Sequence, residues 1–382
     1  MQEKEKMKKK IILISSALAL VLVLSLAFIF LVFGPFDERG LDYTVNADGT
    51  TCTVTGLGSC KLAKIEIPEY IDGYQVTVLA KNAFREYAKL KEVTVPQSVK
   101  VIEANVFYKC EALEKVTLPQ KLDRLGAGTF YGCVNLETVV LPDNLTKIET
   151  ALFGECTKLL TADIPATVTS IGDLAFFECY ELQKADIPAG VTYIGAQAFH
   201  GCYAIKEITV PKGVTTLAPF VFAYCKSLTK LNLHEDITKI ERRAFSACSS
   251  LETIEIPEKV TEIGYYAFAE CKKLKEITIP DSVKILDNNA FYDCTSLKDV
   301  RLSASLTEIR QSTFWKCTAL EQISIPLSVT NFGSVIFKES GVKRIFYEGT
   351  VEQWNAIQKH ENWARDMKDY VIICSDGTTE QK

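Results

Sequence analysis

Histidine is nearly missing from this chain: His200, His234 and His360 are the three in 382 residues. They occupy three different local contexts, with no nucleophile or carboxylate at a fixed relation to them, so no catalytic triad or zinc set can be assembled. No glycine-rich phosphate loop occurs, and no pair of catalytic carboxylates stands out among 48 acidic residues. The expectation is a protein that is not an enzyme and carries no cofactor or metal. A basic stripe is lacking too. Net charge is −5, whereas tracking phosphates needs concentrated Lys and Arg, so no nucleic-acid partner is expected.

One long stretch lacks charge altogether. Residues 1–10 carry Lys4, Lys6, Lys8, Lys9 and Lys10, and Ile11 to Gly34 then runs without a charged side chain. About 20 apolar residues suit a membrane-spanning helix, while a signal-peptide core is shorter and ends at a small-residue cleavage site. Here Phe28, Phe30, Leu31, Val32 and Phe33 stand where that site would lie. Residues 11–34 therefore read as an uncleaved single-pass anchor, with a cleaved signal and secretion as the alternative. The lysines before the segment place the N-terminus in the cytoplasm and everything after residue 34 outside the cell.

What the chain has in abundance is regularity. Phenylalanine stands at 84, 107, 130, 153, 176, 199, 222, 245, 268, 291, 314 and 337, an unbroken 23-residue period. A fixed period of this length marks a solenoid, in which each small unit buries its apolar side only against its neighbours. One copy reads Leu251-Glu-Thr-Ile254-Glu-Ile256-Pro257-Glu-Lys-Val260-Thr-Glu-Ile263-Gly264-Tyr-Tyr-Ala267-Phe268-Ala-Glu-Cys271. Ile254 and Ile256 alternate with polar residues as in a half-buried strand, which Pro257 closes by removing a donor. Val260 to Ile263 gives a second short extended side. Ala267-Phe268-x-x-Cys271 has the spacing of a short helix or 3₁₀ turn. Twelve such coils at about 4.8 Å each make a β-rich rod on the order of 55 Å long. His234 and Ser303 depart from the strand-closing proline, and Tyr70-Ile-Asp-Gly-Tyr74 adds residues that should form a loop.

These copies resemble the BspA-like leucine-rich repeat proteins, whose units read L-x-x-I-x-I-P-x-x-V-T-x-I-G-x-x-A-F-x-x-C. The similarity runs from Tyr43 to Cys374. Cys52-Thr-Val-Thr-Gly-Leu-Gly-Ser-Cys60 is similar to the family's opening, and Tyr347-Glu-Gly-Thr-Val-Glu-Gln-Trp354 to its closing. The resemblance implies surface proteins of bacteria and some protozoa that bind host proteins or cells, and it implies no catalytic residues. The expected organisation is an N-terminal cap over 35–61, a leucine-rich repeat solenoid over 62–342, a C-terminal cap over 343–374 and a tail over 375–382. In the C-terminal cap, Thr350 to Gln353 forms a capping box for a helix of about 350–358, and Val371 to Cys374 reads as a last strand.

Ten cysteines, from Cys110 to Cys317, follow a repeat Phe by three residues. A single-file column cannot converge on an ion, and coils about 4.8 Å apart are too distant for disulfides, so a buried thiol ladder is expected. Cys52 and Cys60 lie outside the column and are candidates for a disulfide in an oxidising exterior. Cys374 reads either as a buried thiol or as a free reactive one. A threonine column seven residues before nine of the twelve repeat Phe, broken by Lys100, Asp123 and Lys284, reads as a solvated strand whose hydroxyls pair with their neighbours.

Two surfaces are candidates for binding. At six of the twelve coils the position after the Phe holds a ring, Tyr108, Tyr131, Phe177, His200, Tyr292 and Trp315, and these could hold a protein segment or stack on a sugar, or else fold onto the next coil. The outward strand positions Asp163, Asp186, Thr209, Asn232, Glu255 and Arg301 change from copy to copy, as a binding surface or drifting solvent face would. The function expected is a membrane-anchored extracellular protein that binds another macromolecule, most readily a protein on a cell surface or matrix. The alternatives are a cell-envelope spacer or scaffold with no foreign ligand, and carbohydrate binding through the aromatic column.

Overall fold

The computed structural model describes residues 40–381. The basic tail and the apolar segment 11–34 lie outside the described residues. Among the described residues, no helix is long and apolar enough to cross a membrane.

The described chain is a stack of coils whose strands pair in parallel at the sequence period. Lys147 pairs with Ser170 and Ser170 with Tyr193, and Ile240 pairs with Ile263 and Ile263 with Leu286. Each coil contributes a strand from its V-T-x-I segment, and most contribute another from the I-x-I segment. The I-x-I strands are not one continuous ladder. Lys230–Asn232 pairs back to Glu207–Thr209 and Glu276–Thr278 forward to Asp299–Arg301, but residues 252–256 between them form no strand.

The core is a set of side-chain ladders. The twelve repeat phenylalanines are buried, and successive rings lie 5.2–5.8 Å apart between centroids, stacked within 22° of parallel. Leu, Ile and Val of the strand positions fill the space beside them. Removing such surface from water is the main drive to stack, because no coil can bury its ring alone.

The A-F-x-x-C segment is not helical, contrary to expectation. It is a run of tight turns with a left-handed residue two before and two after every repeat Phe, such as Tyr266 and Glu270 around Phe268, with φ from 48° to 74° across all twelve coils. Hydrogen bonding explains this. Asn82, Phe84 and Glu86 donate their N–H groups to Ala104, Val106 and Tyr108 of the next coil at 2.7–3.1 Å, while Ala83, Arg85 and Tyr87 donate within their own coil. A helix would spend every donor inside one coil and leave the stack unlinked.

Both ends are closed by strands. Asp42–Val45 runs antiparallel to Thr51–Gly56, which pairs with Tyr74–Leu79 of the first coil. The insertion at Tyr70 to Tyr74 is a hairpin: Tyr70–Ile71 pairs antiparallel with the start of Tyr74–Leu79 across Asp72 and Gly73, both at positive φ. That geometry belongs to a two-residue type I′ turn, where Asp-Gly is favoured. The Tyr43 hydroxyl donates to Asp72 at 2.6 Å, tying the hairpin to the cap. At the other end Thr350 and Gln353 make the reciprocal capping box of the helix Val351–Ala356, and Trp354 is buried against Phe332 and Tyr347. The strand Val371–Cys374 forms, but residues 375–382 are not merely a tail, because Gly377–Gln381 turns back to pair antiparallel with it.

Candidate functional site

The cysteine column carries no site. All thirteen cysteines are buried and free. In the ten ladder coils each thiol donates to the carbonyl oxygen of the previous coil's Phe at 3.1–3.3 Å. The expected Cys52–Cys60 bridge does not form. The Cys52 thiol points into the first sheet toward the Tyr74 carbonyl at 3.6 Å, while Cys60 follows a separate turn closed by its own N–H on Leu57. Cys374 is a buried free thiol of the strand Val371–Cys374. Among the described residues no group of three or more His, Cys, Asp or Glu could hold a metal ion.

The threonine column is satisfied internally rather than hydroxyl to hydroxyl. Thr169 sends both its N–H, at 2.9 Å, and its hydroxyl, at 3.2 Å, to the carbonyl oxygen of Thr146, and Thr192 and Thr261 repeat this arrangement on Thr169 and Thr238. Those hydroxyls stitch the coils together.

The six aromatic candidates are all half-buried and fall into three pairs. Tyr108 stacks on Tyr131 at 5.1 Å and 7°, with the Arg85 guanidinium 4.4 Å over the outer face of the pair. The Tyr131 hydroxyl donates to Glu155, and burial followed by that carboxylate pushes the phenol pKa up. Phe177 stacks on His200 at 5.1 Å, and Tyr224 tilts against the imidazole at 5.2 Å. Burial there lowers the His200 pKa, opposed by Glu178. Tyr292 meets Trp315 edge-on at 5.3 Å, and Lys338 covers the Trp315 ring at 4.7 Å. The structure does not bring the three pairs into one site. Within each pair a ring face is taken up by the neighbouring ring or a cation, and the edge nitrogens Nδ1 of His200 and Nε1 of Trp315 are buried.

The outward positions of the I-x-I segments do come together. Between Leu233 and Phe346 the face forms an open groove of about 1080 Å³ shared by six coils. Its floor is half-buried Leu233, Val300 and Phe346, and its rims carry Glu255, Glu276, Asp299 and Arg301. Of the outward positions singled out from the sequence, Glu255 and Arg301 line this groove, while Asp163, Asp186, Thr209 and Asn232 lie on the same face nearer the N-terminus. The Asn232 amide is taken up by Glu207 and Thr209 at 3.0 and 2.9 Å. Sequence reasoning missed the groove because its shape accumulates over several coils and is written in no single one. The signal that could have found it is the run of acidic outward positions from Glu255 to Asp299.

A sequence profile of BspA type leucine rich repeat regions matches residues 57–183, 169–269 and 239–357. No curated protein matches the chain. Among solved structures, a leucine rich cell surface protein of Faecalibacterium prausnitzii is similar at 26% identity and a TM-score of 0.63, covering 84% of this chain and 96% of that one. A leucine-rich repeat protein of Bacteroides ovatus is similar at 24% identity and a TM-score of 0.60, covering 88% and 98%. The pneumococcal vaccine antigen PcpA shares the fold at 19% identity and a TM-score of 0.53, covering 91% and 88%.

Proposed function

Because the chain belongs to the BspA-type leucine-rich repeat family, we propose that it is a surface protein that grips another protein along the I-x-I face of its stack. The observation that carries this reading is the groove between Leu233 and Phe346, where an unvarying scaffold presents different side chains in each of six successive coils. Such a surface makes many contacts at once, and affinity then depends on a few well-buried ones. The similar F. prausnitzii protein is described as a cell surface protein, and the uncharged segment 11–34 supplies an anchor that would leave the coils outside the cell. The runner-up, an envelope spacer, needs no groove. Carbohydrate stacking is disfavoured by the pairing of Tyr108 with Tyr131 and of Phe177 with His200, which covers the faces a sugar ring would need.

The test uses the full chain carrying a photo-crosslinking residue at Thr278, in the groove, or at Thr261, in the threonine column. The expected result is a saturable adduct of one mass from position 278 on contact with host-cell surfaces, and none from 261. Adducts formed equally from both positions, or only between copies of this chain, would sink the reading in favour of the spacer.

A further inference from the structure

Along most of the I-x-I face, carboxylates are neutralised by lysines of a neighbouring coil. Lys64 with Glu92, Lys91 with Glu114, Lys230 with Glu207 and Lys275 with Glu252 approach to 2.5–3.5 Å. Inside the groove this pattern stops. Glu235, Glu255, Glu258, Glu276 and Asp299 all line it and are exposed, and none of them forms an ion pair among the described residues. Arg301, the one Lys or Arg in the lining, is already held by Asp281 at 3.0 Å. The result is a trough with an apolar floor and negative rims that no ion pair answers, whereas Glu92, Glu114, Glu207 and Glu252 on the same face are paired. A divalent ion does not answer this charge, since no three ligating side chains converge. The five carboxylates are spread over several coils, so what compensates them must be extended and multiply cationic.

Length points the same way. The five spacings of about 4.8 Å between six coils give a trough of about 25 Å, the reach of some seven or eight extended residues at roughly 3.3 Å each. We infer that the groove takes an extended, lysine- or arginine-rich segment of a partner protein, with its cations on Glu235, Glu255, Glu258, Glu276 and Asp299 and its backbone over Leu233, Val300 and Phe346. This rests on the reading that the I-x-I face binds protein, and it specifies the chemistry of the partner. Complementary charge of this kind speeds encounter and rejects wrong partners, and it weakens with salt.

The experiment measures fluorescence anisotropy of a labelled eight-residue peptide alternating lysine and threonine, with its glutamate–threonine analogue, on the full chain in nanodiscs of uncharged lipid. The lysine peptide binds, the glutamate peptide does not, and raising the salt weakens the complex. The double reversal Glu276→Lys with Asp299→Lys weakens binding by more than about tenfold, since like charges across a contact repel. A distal reversal on the same chain, Asp143→Lys with Asp163→Lys, leaves affinity within about twofold, as expected for exposed charges beyond a Debye length. Circular dichroism melting of both variants checks that they fold. Unchanged affinity after the groove reversal, or an equal loss after the distal one, overturns the inference. Crosslinking from position 278 with no preference for lysine peptides would leave the protein-binding reading standing and remove the cationic partner alone.

Discussion

Cys156 donates its thiol hydrogen to the carbonyl oxygen of Phe130, one coil back, at 3.1 Å. That oxygen also accepts the N–H of Cys133 at 3.1 Å, so the thiol uses the carbonyl's second lone pair at a fully buried position. The column is cysteine for this reason: a small apolar side chain with a weak donor fits a dry core position facing a carbonyl, and a hydroxyl there would cost more to desolvate.

The first prediction follows from this burial. The ladder thiols should not react with Ellman's reagent at pH 8 until the chain is unfolded, because the thiolate is the reactive form and burial suppresses it. Burial pushes Cys110 up to about 12, from an ordinary 9.0. The group is an acid whose folded pKa is raised, so its neutral form belongs to the fold. Stability is therefore undiminished below pH 9 and falls as pH climbs from 9 toward 12, where the unfolded chain ionises and the folded one does not. The urea midpoint should be lower at pH 10.5 than at pH 7.5. A flat midpoint, or native-state labelling of the ladder, would contradict it.

The ladders themselves were legible in the sequence, because a 23-residue period with one large ring per copy admits few packings. Caps were legible where a local rule governs them, as in the Thr350 to Gln353 box, and illegible where pairing is remote, as in the return strand Gly377–Gln381. The turn around each Phe misled for a physical reason. A spacing of three between Phe and Cys suits a helix when donors are satisfied locally, but in a stack every second donor is claimed by the next coil, and intervals in one copy do not record that claim. The binding face was half legible: its outward positions could be named, but the groove arises from their sum.

The turn geometry yields the second prediction. Val335 holds φ at 48°, a left-handed conformation that is unfavourable for a β-branched residue. Four other coils place Asn82, Asn105, Asn289 or Gly128 at the equivalent position, residues that tolerate it, and no other coil places a β-branched residue there. Val335 is only half-buried, so little packing is lost on replacement. Val335→Asn should raise stability by about 1 kcal/mol, the scale of the left-handed penalty. Thermal unfolding of the two proteins side by side decides it, and a lower midpoint for the variant would show that Val335 packing outweighs its backbone strain.

The last prediction concerns the two coils that lack the strand-closing proline. His234 accepts the Asp236 N–H on Nδ1 at 3.2 Å, and its Nε2 lies 3.0 Å from the Val214 carbonyl oxygen, which fixes the proton on Nε2. Ser303 does the same with one atom: its Oγ accepts the Ser305 N–H at 3.1 Å and donates to the Val283 carbonyl at 2.7 Å. Both side chains reach the residue two ahead and the carbonyl twenty behind, so an imidazole and a hydroxyl make equivalent bridges. His234→Ser should therefore leave the unfolding midpoint nearly unchanged, whereas His234→Ala strands a half-buried donor and acceptor and should cost about 1–2 kcal/mol. Equal losses from both variants would mean that ring packing, rather than the bridge, holds this turn.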